Sequence, residues 1–406
     1  FSLSLCLFHS LLSPLSSFFC SSTFVNMALY VLTGSQEEQM KELFSFFQSL
    51  KEEQEKKEEA PQELVALLSL VVKDFAAAFK KAEPAQLEGA FNLFVSLVKQ
   101  TEGEDKTKLY SSLVAEVCAD QADRPLLRLK FLNNIFNAEQ DGKIRFNAFL
   151  NICCLSLSSS SSALLVPQLP KLEGWVKAWG LDEKETKNLY KSVLACLKAN
   201  EENQQKLYQF LLQMLKNLGD EDLEDEAVEA VVLSLKLVNV KDFDDIVDLK
   251  SVRELQGDKA PLVKLLDIFA KGTVSDFQAF EKENGDAFFN AHGLSSSDLL
   301  VKMRYLSIAA LGSKNKNLPF ADLVKELAVD EEEVELWVLD AVEKGYVDGK
   351  IDELAGVVNI RQAHLRLFGE DEWKQLQGDL ARAEKNLNHV LNSIDKSLSS
   401  APYVRK

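Results

Sequence analysis

The chain has 406 residues, 46% of them hydrophobic and 27% charged, which excludes global disorder and allows one long core or two to three compact ones. Gly (17) and Pro (9) together reach about half their average share, too few for the closely spaced turns of a β-sandwich or barrel. The 46 basic residues against 63 acidic ones give a net charge of −17, the wrong sign for a chain that mainly grips phosphate backbones.

The first 26 residues, FSLSLCLFHSLLSPLSSFFCSSTFVN, precede the first methionine, Met27. They are apolar like a signal peptide, but no Lys or Arg occurs before Lys41, so the basic n-region is missing. Twenty of the 26 are Phe, Ser, Leu or Pro, whose commonest codons open with two pyrimidines. A translated pyrimidine-rich leader has this composition, and the mature protein is expected to start at Met27. Cys6 and Cys20 would go with it; Cys118, Cys153, Cys154 and Cys196 have no regular spacing, which suits a reducing, cytoplasmic setting. No later apolar run reaches the ~18 residues of a membrane span.

From Glu37 onward apolar residues recur at three- and four-residue spacing. Leu43, Phe46, Phe47 and Leu50 form one face, followed by the charged run KEEQEKKEEA and Pro61. Leu64 to Phe75 form the next, ending near Pro84; then come Leu87–Val98, Leu109–Val117 and Leu126–Ile135. Stretches of this length closed by short polar connections predict degenerate antiparallel helical repeats. Ser158–Ser162 reads as a loop within the array. Helical spacing resumes through Trp175 and Trp179, Leu189–Leu197, Leu207–Leu215 and, after the acidic GDEDLEDEA turn, Val228–Leu237. Further helical sets cover Leu262–Phe269, Val274–Phe280, Phe288–Ala291 and Leu299–Leu311.

At Leu318 the pattern changes. A short helix over Ala321–Leu327, a tight turn, a helix over Asp330–Lys344 and two short alternating segments at Tyr346–Ile351 and Gly356–Ile360 predict a winged helix. Beyond it, Trp373, Leu376, Leu380, Ala383, Leu387, Val390 and Ile394 form an unbroken heptad seam on one long helix.

Chemical motifs are scarce. AEQDGKIRF mimics a calcium loop, but the position that needs a bidentate Glu falls on Ala148; in YVDGKIDEL it falls on Ala355. HExxH, the P-loop and GxGxxG are absent from the sequence. Cys153 and Cys154 are adjacent, which suits neither a zinc knuckle nor a redox pair. No catalytic, metal or cofactor-binding residues are expected. The winged helix suggests DNA binding, but its second helix, DEEEVELWVLDAVEKG, carries seven acidic residues against Lys344 alone, and direct DNA binding is not expected. The wing hairpin instead offers an edge that could extend a neighbour's sheet.

Helical repeats, a winged helix and a terminal coiled-coil helix together resemble the PCI family, named from the proteasome lid, the signalosome and translation initiation factor 3. The stretch from about Gln205 to Phe368 carries this, most densely in DLLVKMRYLSIAAL and VLDAVEKGYVDGKIDELAGVVNI. Within the family the chain is similar to the initiation factor 3 branch, through RLFGEDEWKQLQGDLARAEKNLNHVLNSI, WVKAW and the N-terminal array starting near MALYVL. Beyond the leader at 1–26, the resemblance implies a mainly α fold with N-terminal helical repeats at 27–204 and a PCI domain at 205–368. The helical part of that domain runs to about 312 and the winged helix over about 313–368, with a bundle helix and tail at 369–406.

It further implies a non-catalytic, cofactor-free scaffold subunit that supports recruitment of mRNA and initiator complexes to the small ribosomal subunit. Its partners would be other PCI subunits, held through the winged helix and terminal helix. The alternative is a scaffold subunit of the signalosome, like its subunit 7, in protein deneddylation. Candidate contact residues are Tyr346, Val347 and Ile351 around the wing and Trp373, Leu376, Leu380, Leu387, Val390 and Ile394 on the seam. A core role serves Val347 and Ile351 equally well. Trp373 and Leu376 are expected to pack back on the winged helix, leaving the distal seam for partners.

Overall fold

A computed structural model describes residues 35–51, 61–199, 203–218, 223–255 and 257–400. The leader at 1–26, most of the KEEQEKKEEA run, the start of the GDEDLEDEA turn and the final APYVRK lie outside the described residues. The fold is mainly α, with one small antiparallel sheet. Its two compact units divide between Leu207 and Tyr208.

The first unit is an array of helices: α1 (Gln36–Ser49), α2 (Leu64–Val72), α3 (Phe75–Lys81), α4 (Pro84–Val98), α5 (Gly103–Cys118), α6 (Pro125–Ala138), α7 (Gly142–Ser158), α8 (Leu169–Trp179) and α9 (Glu183–Lys198). α10 (Gln204–Leu218) contains the division. Most helices pack on the next and on one two or three further along: α1 on α4, α2 on α5, α4 on α6, α5 on α7 and α7 on α9. Local chemistry sets the starts. Ser35 and Asp182 make capping boxes with Glu38 and Glu185, and Pro84 and Pro125 occupy first-turn positions where no N–H is needed. The calcium-like AEQDGKIRF is such a start: Asp141 caps α7, accepting from the Lys143 and Ile144 amides.

A phenylalanine ladder runs through this unit. Phe47 meets Phe75 at 4.8 Å, Phe75 meets Phe94 at 5.4 Å, and Phe91 stacks on Phe131 at 4.0 Å. Each fully buried aromatic of this kind contributes roughly 1.5–3 kcal/mol. Arg128 is buried among them, its guanidinium 3.9 Å from the Phe79 ring. It donates to the carbonyls of Val117 (2.6 Å) and Asp123 (2.6 Å), tying the end of α5 to the turn that opens α6. Two elements differ from the sequence reading. Leu64–Phe75 is not one helix, because the chain turns at Lys73–Asp74 and Phe75 starts α3. α7 had no single apolar face to reveal it: helices α5, α6, α8 and α9 all touch it. The serine run closes α7, with Ser158 and Ser159 hydroxyls donating to the Leu155 carbonyl at 3.0 and 2.8 Å.

The second unit continues with α11 (Glu224–Lys236), the short α12 (Asp244–Val247) and α13 (Lys250–Arg253), α14 (Ala260–Lys271), α15 (Val274–Ala291) and α16 (Ser296–Lys314). α15 is kinked at Gly285, whose φ of 66° suits glycine. The winged helix follows: β1 (Asn317–Pro319), α17 (Phe320–Leu327), α18 (Glu331–Glu343), β2 (Val347–Asp352) and β3 (Val357–Ala363). α19 (Glu370–Ser400) ends the described chain. The strand order is β1-β3-β2, so the expected two-stranded hairpin gains a third strand through Leu318 opposite Val358. Three residues containing a proline carry no alternation to read, and only the pairing defines them as a strand.

α16 is the axis of this unit. It touches α11 and α15 on the helical side and α17, α18 and all three strands of the winged helix. Its residue Lys302, only 2% exposed, donates to the carbonyls of Ser234 (2.6 Å) and Leu237 (2.7 Å) at the end of α11. Among the described residues no carboxylate pairs with it, and burial pulls its amine down to about 7.

Two stability predictions follow from these buried cations. Arg128→Met leaves the Val117 and Asp123 carbonyls without their donor and is expected to cost about 3 kcal/mol, read as a lower urea midpoint. A shift under about 0.5 kcal/mol would remove Arg128 as a clamp. For Lys302, the unfolded chain keeps its proton to about pH 10 while the folded chain gives it up near 7. Between those values the unfolded state binds more protons, so rising pH favours folding. The unfolding free energy of the wild type minus that of Lys302→Met should therefore rise by about 1 kcal/mol per pH unit from 7 to 10. A difference that stays flat over that window contradicts it.

Candidate protein-interaction site

The winged helix is built on close backbone approaches. Gly345 (φ 70°) follows α18 and lets the Tyr346 amide reach back to the Ala341 carbonyl at 2.8 Å, closing the helix. Gly349 sits where an added Cβ would lie 2.6 Å from the Asn359 carbonyl oxygen, facing the β-bulge that Arg361 makes in β3. Thus YVDGKIDEL, the second calcium-like segment, is strand β2 and the start of the turn after it.

Side chains then fix the module against the helical part of its own unit. The Tyr346 hydroxyl donates to the Val238 carbonyl at 2.6 Å, and Lys241 donates to the Gly345 carbonyl at 2.8 Å. Arg366 is buried just beyond β3 and donates to the Leu306 carbonyl (3.0 Å), the Gly272 carbonyl (2.7 Å) and the Ser307 hydroxyl (3.2 Å). Burial pulls its guanidinium down to about 10. The Phe243 amide donates to the Arg366 carbonyl, and the Phe368 amide donates to Asp244, both at 2.9 Å. These bonds hold the exit of the winged helix, from which α19 departs.

The wing candidates separate. Tyr346 and Val347 are buried in the domain core, and Ile351 is half-buried on edge strand β2. The seam candidates are exposed: Trp373, Leu376, Leu380, Leu387, Val390 and Ile394 all face solvent, Leu380 and Leu387 at 62% and 65%. Trp373 keeps a contact with the end of the winged helix, and Leu376 is 39% exposed. Trp373 touches Phe368 edge-on at 4.8 Å and stays 61% exposed. Leu391, next to the seam, is also exposed and widens the stripe. From Trp373 to Ile394 the seam runs about 32 Å along the helix.

Sequence reasoning did not single out Lys302 or Arg366. The available signal was a basic residue inside an apolar run, DLLVKMRYL and QAHLRLF, which marks a buried cation as readily as a surface one. On α18, Val334, Val338 and Ala341 are buried as the spacing implied, while Trp337 and Val342 are half-buried. Trp337 stacks under Arg304, 4.6 Å from guanidinium to ring centre.

No group of three or more His, Cys, Asp or Glu is arranged to hold a metal among the described residues. Cys153 is buried and Cys154 exposed, on different faces of α7 as adjacent helical residues must be. The Cys196 thiol donates to the Cys153 carbonyl at 3.2 Å. No helix among the described residues is long and apolar enough to cross a membrane.

The PCI domain profile matches residues 278–362, from the kinked helix α15 to the end of β3. Beyond that segment the chain is similar to curated proteins named eukaryotic translation initiation factor 3 subunit M. The protein of Dictyostelium discoideum is 28% identical over 348 residues, covering 83% of this chain and 86% of its own length. That of Nematostella vectensis is 28% identical over 372 residues, covering 88% and 94%. That of Chaetomium globosum is 31% identical over 305 residues, covering 72% and 71%. Subunit M is the member that the RLFGEDEW tail, WVKAW and the long N-terminal array single out within the initiation factor 3 branch. With identity at this level spread over most of both chains, and the PCI profile seated on the winged helix, the chain belongs to the subunit M family of eukaryotic translation initiation factor 3.

Proposed function

We propose that this chain is a non-catalytic scaffold subunit of eukaryotic translation initiation factor 3, working in the cytoplasm. The observation that carries this is the similarity to subunit M along most of the chain. In this role it joins other PCI subunits and, through the complex, supports recruitment of mRNA and initiator complexes to the small ribosomal subunit. The α19 seam supplies the contact: Leu380, Leu387, Val390 and Ile394 at its distal end, with Trp373 and Leu376 nearer the winged helix. An apolar stripe of this length in water is stabilised by pairing with a heptad partner. Ile351 on edge strand β2 belongs to a second contact, through strand pairing with a neighbour's wing. Tyr346 and Val347 act in this scheme from inside, by holding the wing to its domain.

Two experiments bear on this. Tagged chain recovered from cytosol should carry other initiation factor 3 subunits and small ribosomal subunits. Recovery with cullin-deneddylating activity and no ribosomal subunits would instead support the signalosome role. For the seam, the double substitution Leu380→Asp, Leu387→Asp should release the subunit from its complex in sedimentation while the free chain keeps its helical circular dichroism. These positions are exposed in the monomer, so the monomer's stability should change by less than about 0.5 kcal/mol. Unchanged co-sedimentation with the other subunits would remove the seam as the contact.

A further inference from the structure

We propose that the outward face of α18 is a docking site for a basic amphipathic helix of a partner protein. Val334, Val338 and Ala341 point α18 into its domain. At 100° per residue the opposite face carries Glu332, Leu336, Leu339 and Glu343 in one stripe, flanked by Glu335 and Asp340. Leu336 is 63% exposed and Leu339 50%, so this apolar pair packs on little in its own chain.

Charge selects the occupant. The helix EEEVELWVLDAVE holds six carboxylates and no basic residue. Lys344, just past its end, reaches only Glu343, at 3.8 Å. Arg304 is occupied by the Trp337 ring and the Leu327 carbonyl. Glu331, Glu332, Glu335 and Asp340 make no ion pair among the described residues. The resulting field surrounds an apolar pair and repels nucleic acid and anionic lipid alike. It favours a segment that brings lysine or arginine to the acidic rim and an apolar ridge to Leu336 and Leu339. Thirteen residues give a face about 20 Å long, matching three to four turns of such a helix. This surface is separate from the α19 seam and from the β2 edge, and the proposal does not depend on the initiation factor role.

The test titrates the purified full chain with a synthetic helical peptide that has leucines along one side and lysines on the rest. Calorimetry should give a Kd on the order of micromolar, weakening by about tenfold in Leu336→Ala, Leu339→Ala. The triple substitution Glu332→Gln, Glu335→Gln, Asp340→Asn should weaken it similarly and flatten its dependence on salt between about 0.05 and 0.5 M. Leu380→Asp, Leu387→Asp should leave the affinity unchanged. All altered side chains are exposed, and unchanged circular dichroism will verify folding. Wild-type affinity in both α18 variants overturns the proposal. So does equal binding of a peptide with glutamate in place of lysine, or tighter binding of an RNA oligonucleotide of similar length.

Discussion

The second unit depends on a helix with no solvent face. Leu299, Lys302, Met303, Tyr305, Leu306, Ser307, Ile308, Ala309 and Gly312 of α16 are all buried, and they point in every direction around the axis. A helix buried this way loses its amphipathic preference and must find partners on all sides. It finds helical repeats on one side and the winged helix on the other. Gly312 shows how close the second contact is: an added Cβ would meet Ile360 of β3 at 3.1 Å. The winged helix is therefore not a module hung on a linker. It shares its core with the helices before it, and Arg366 and Tyr346 add hydrogen bonds across the same boundary.

Buried cations recur as a device in both units. Arg128, Lys302 and Arg366 all donate to main-chain carbonyls, most of them at a helix end or a turn. Each cation, on its long stem, satisfies two carbonyls from one point, and Arg366 reaches the Ser307 hydroxyl as well. The cost is desolvation, seen in the lowered pKa values of Lys302 and Arg366. Charge-assisted hydrogen bonds offset part of it, and the aliphatic stems add packing. Aromatic rings lie against two of the three, Phe79 beside Arg128 and Phe243 beside Lys302, which returns further electrostatic stabilisation.

What was legible in the sequence follows from this anatomy. Helices with one buried face, such as α4, α9 and α18, announce themselves by spacing. α7 did not, because a helix surrounded by four others has apolar residues on every side and reads as an unpatterned run. β1 was invisible for the opposite reason, being three residues defined only by their partner. Tyr346 and Val347 look like surface candidates when placed by their position in the wing. Burial there is decided by Tyr305 of α16 and by the Val238 carbonyl, both distant along the chain, and no local pattern encodes either. The α19 seam was legible because a heptad repeat is written wholly in one helix. Its first residue, Trp373, reaches back to Phe368, and the direction in which the helix leaves is set by the bonds at Arg366 and Phe368, not by the seam itself.

Acidity gains meaning only when placed. Spread over 406 residues, −17 says little beyond solubility and a disfavoured phosphate partner. On α18 the same sign falls on the helix that a DNA-binding winged helix would insert into the major groove. Five more acidic than basic residues over Gly312–Gly369 extend that repulsion to the whole module. The wing cannot compensate, since Lys350 and Arg361 stand among Asp348, Asp352 and Glu353, and Arg361 already pairs with Asp348 at 2.9 Å. The charge on this shape is opposite to what a phosphate backbone requires. The α19 seam and the Leu336–Leu339 pair are the exposed apolar stripes on helices of this unit, the kind of surface that partner proteins cover. A long helix with that seam uncovered forgoes the packing that stabilises most helices in water. A partner that covered the seam would stabilise the helix by mass action and link its order to that partner.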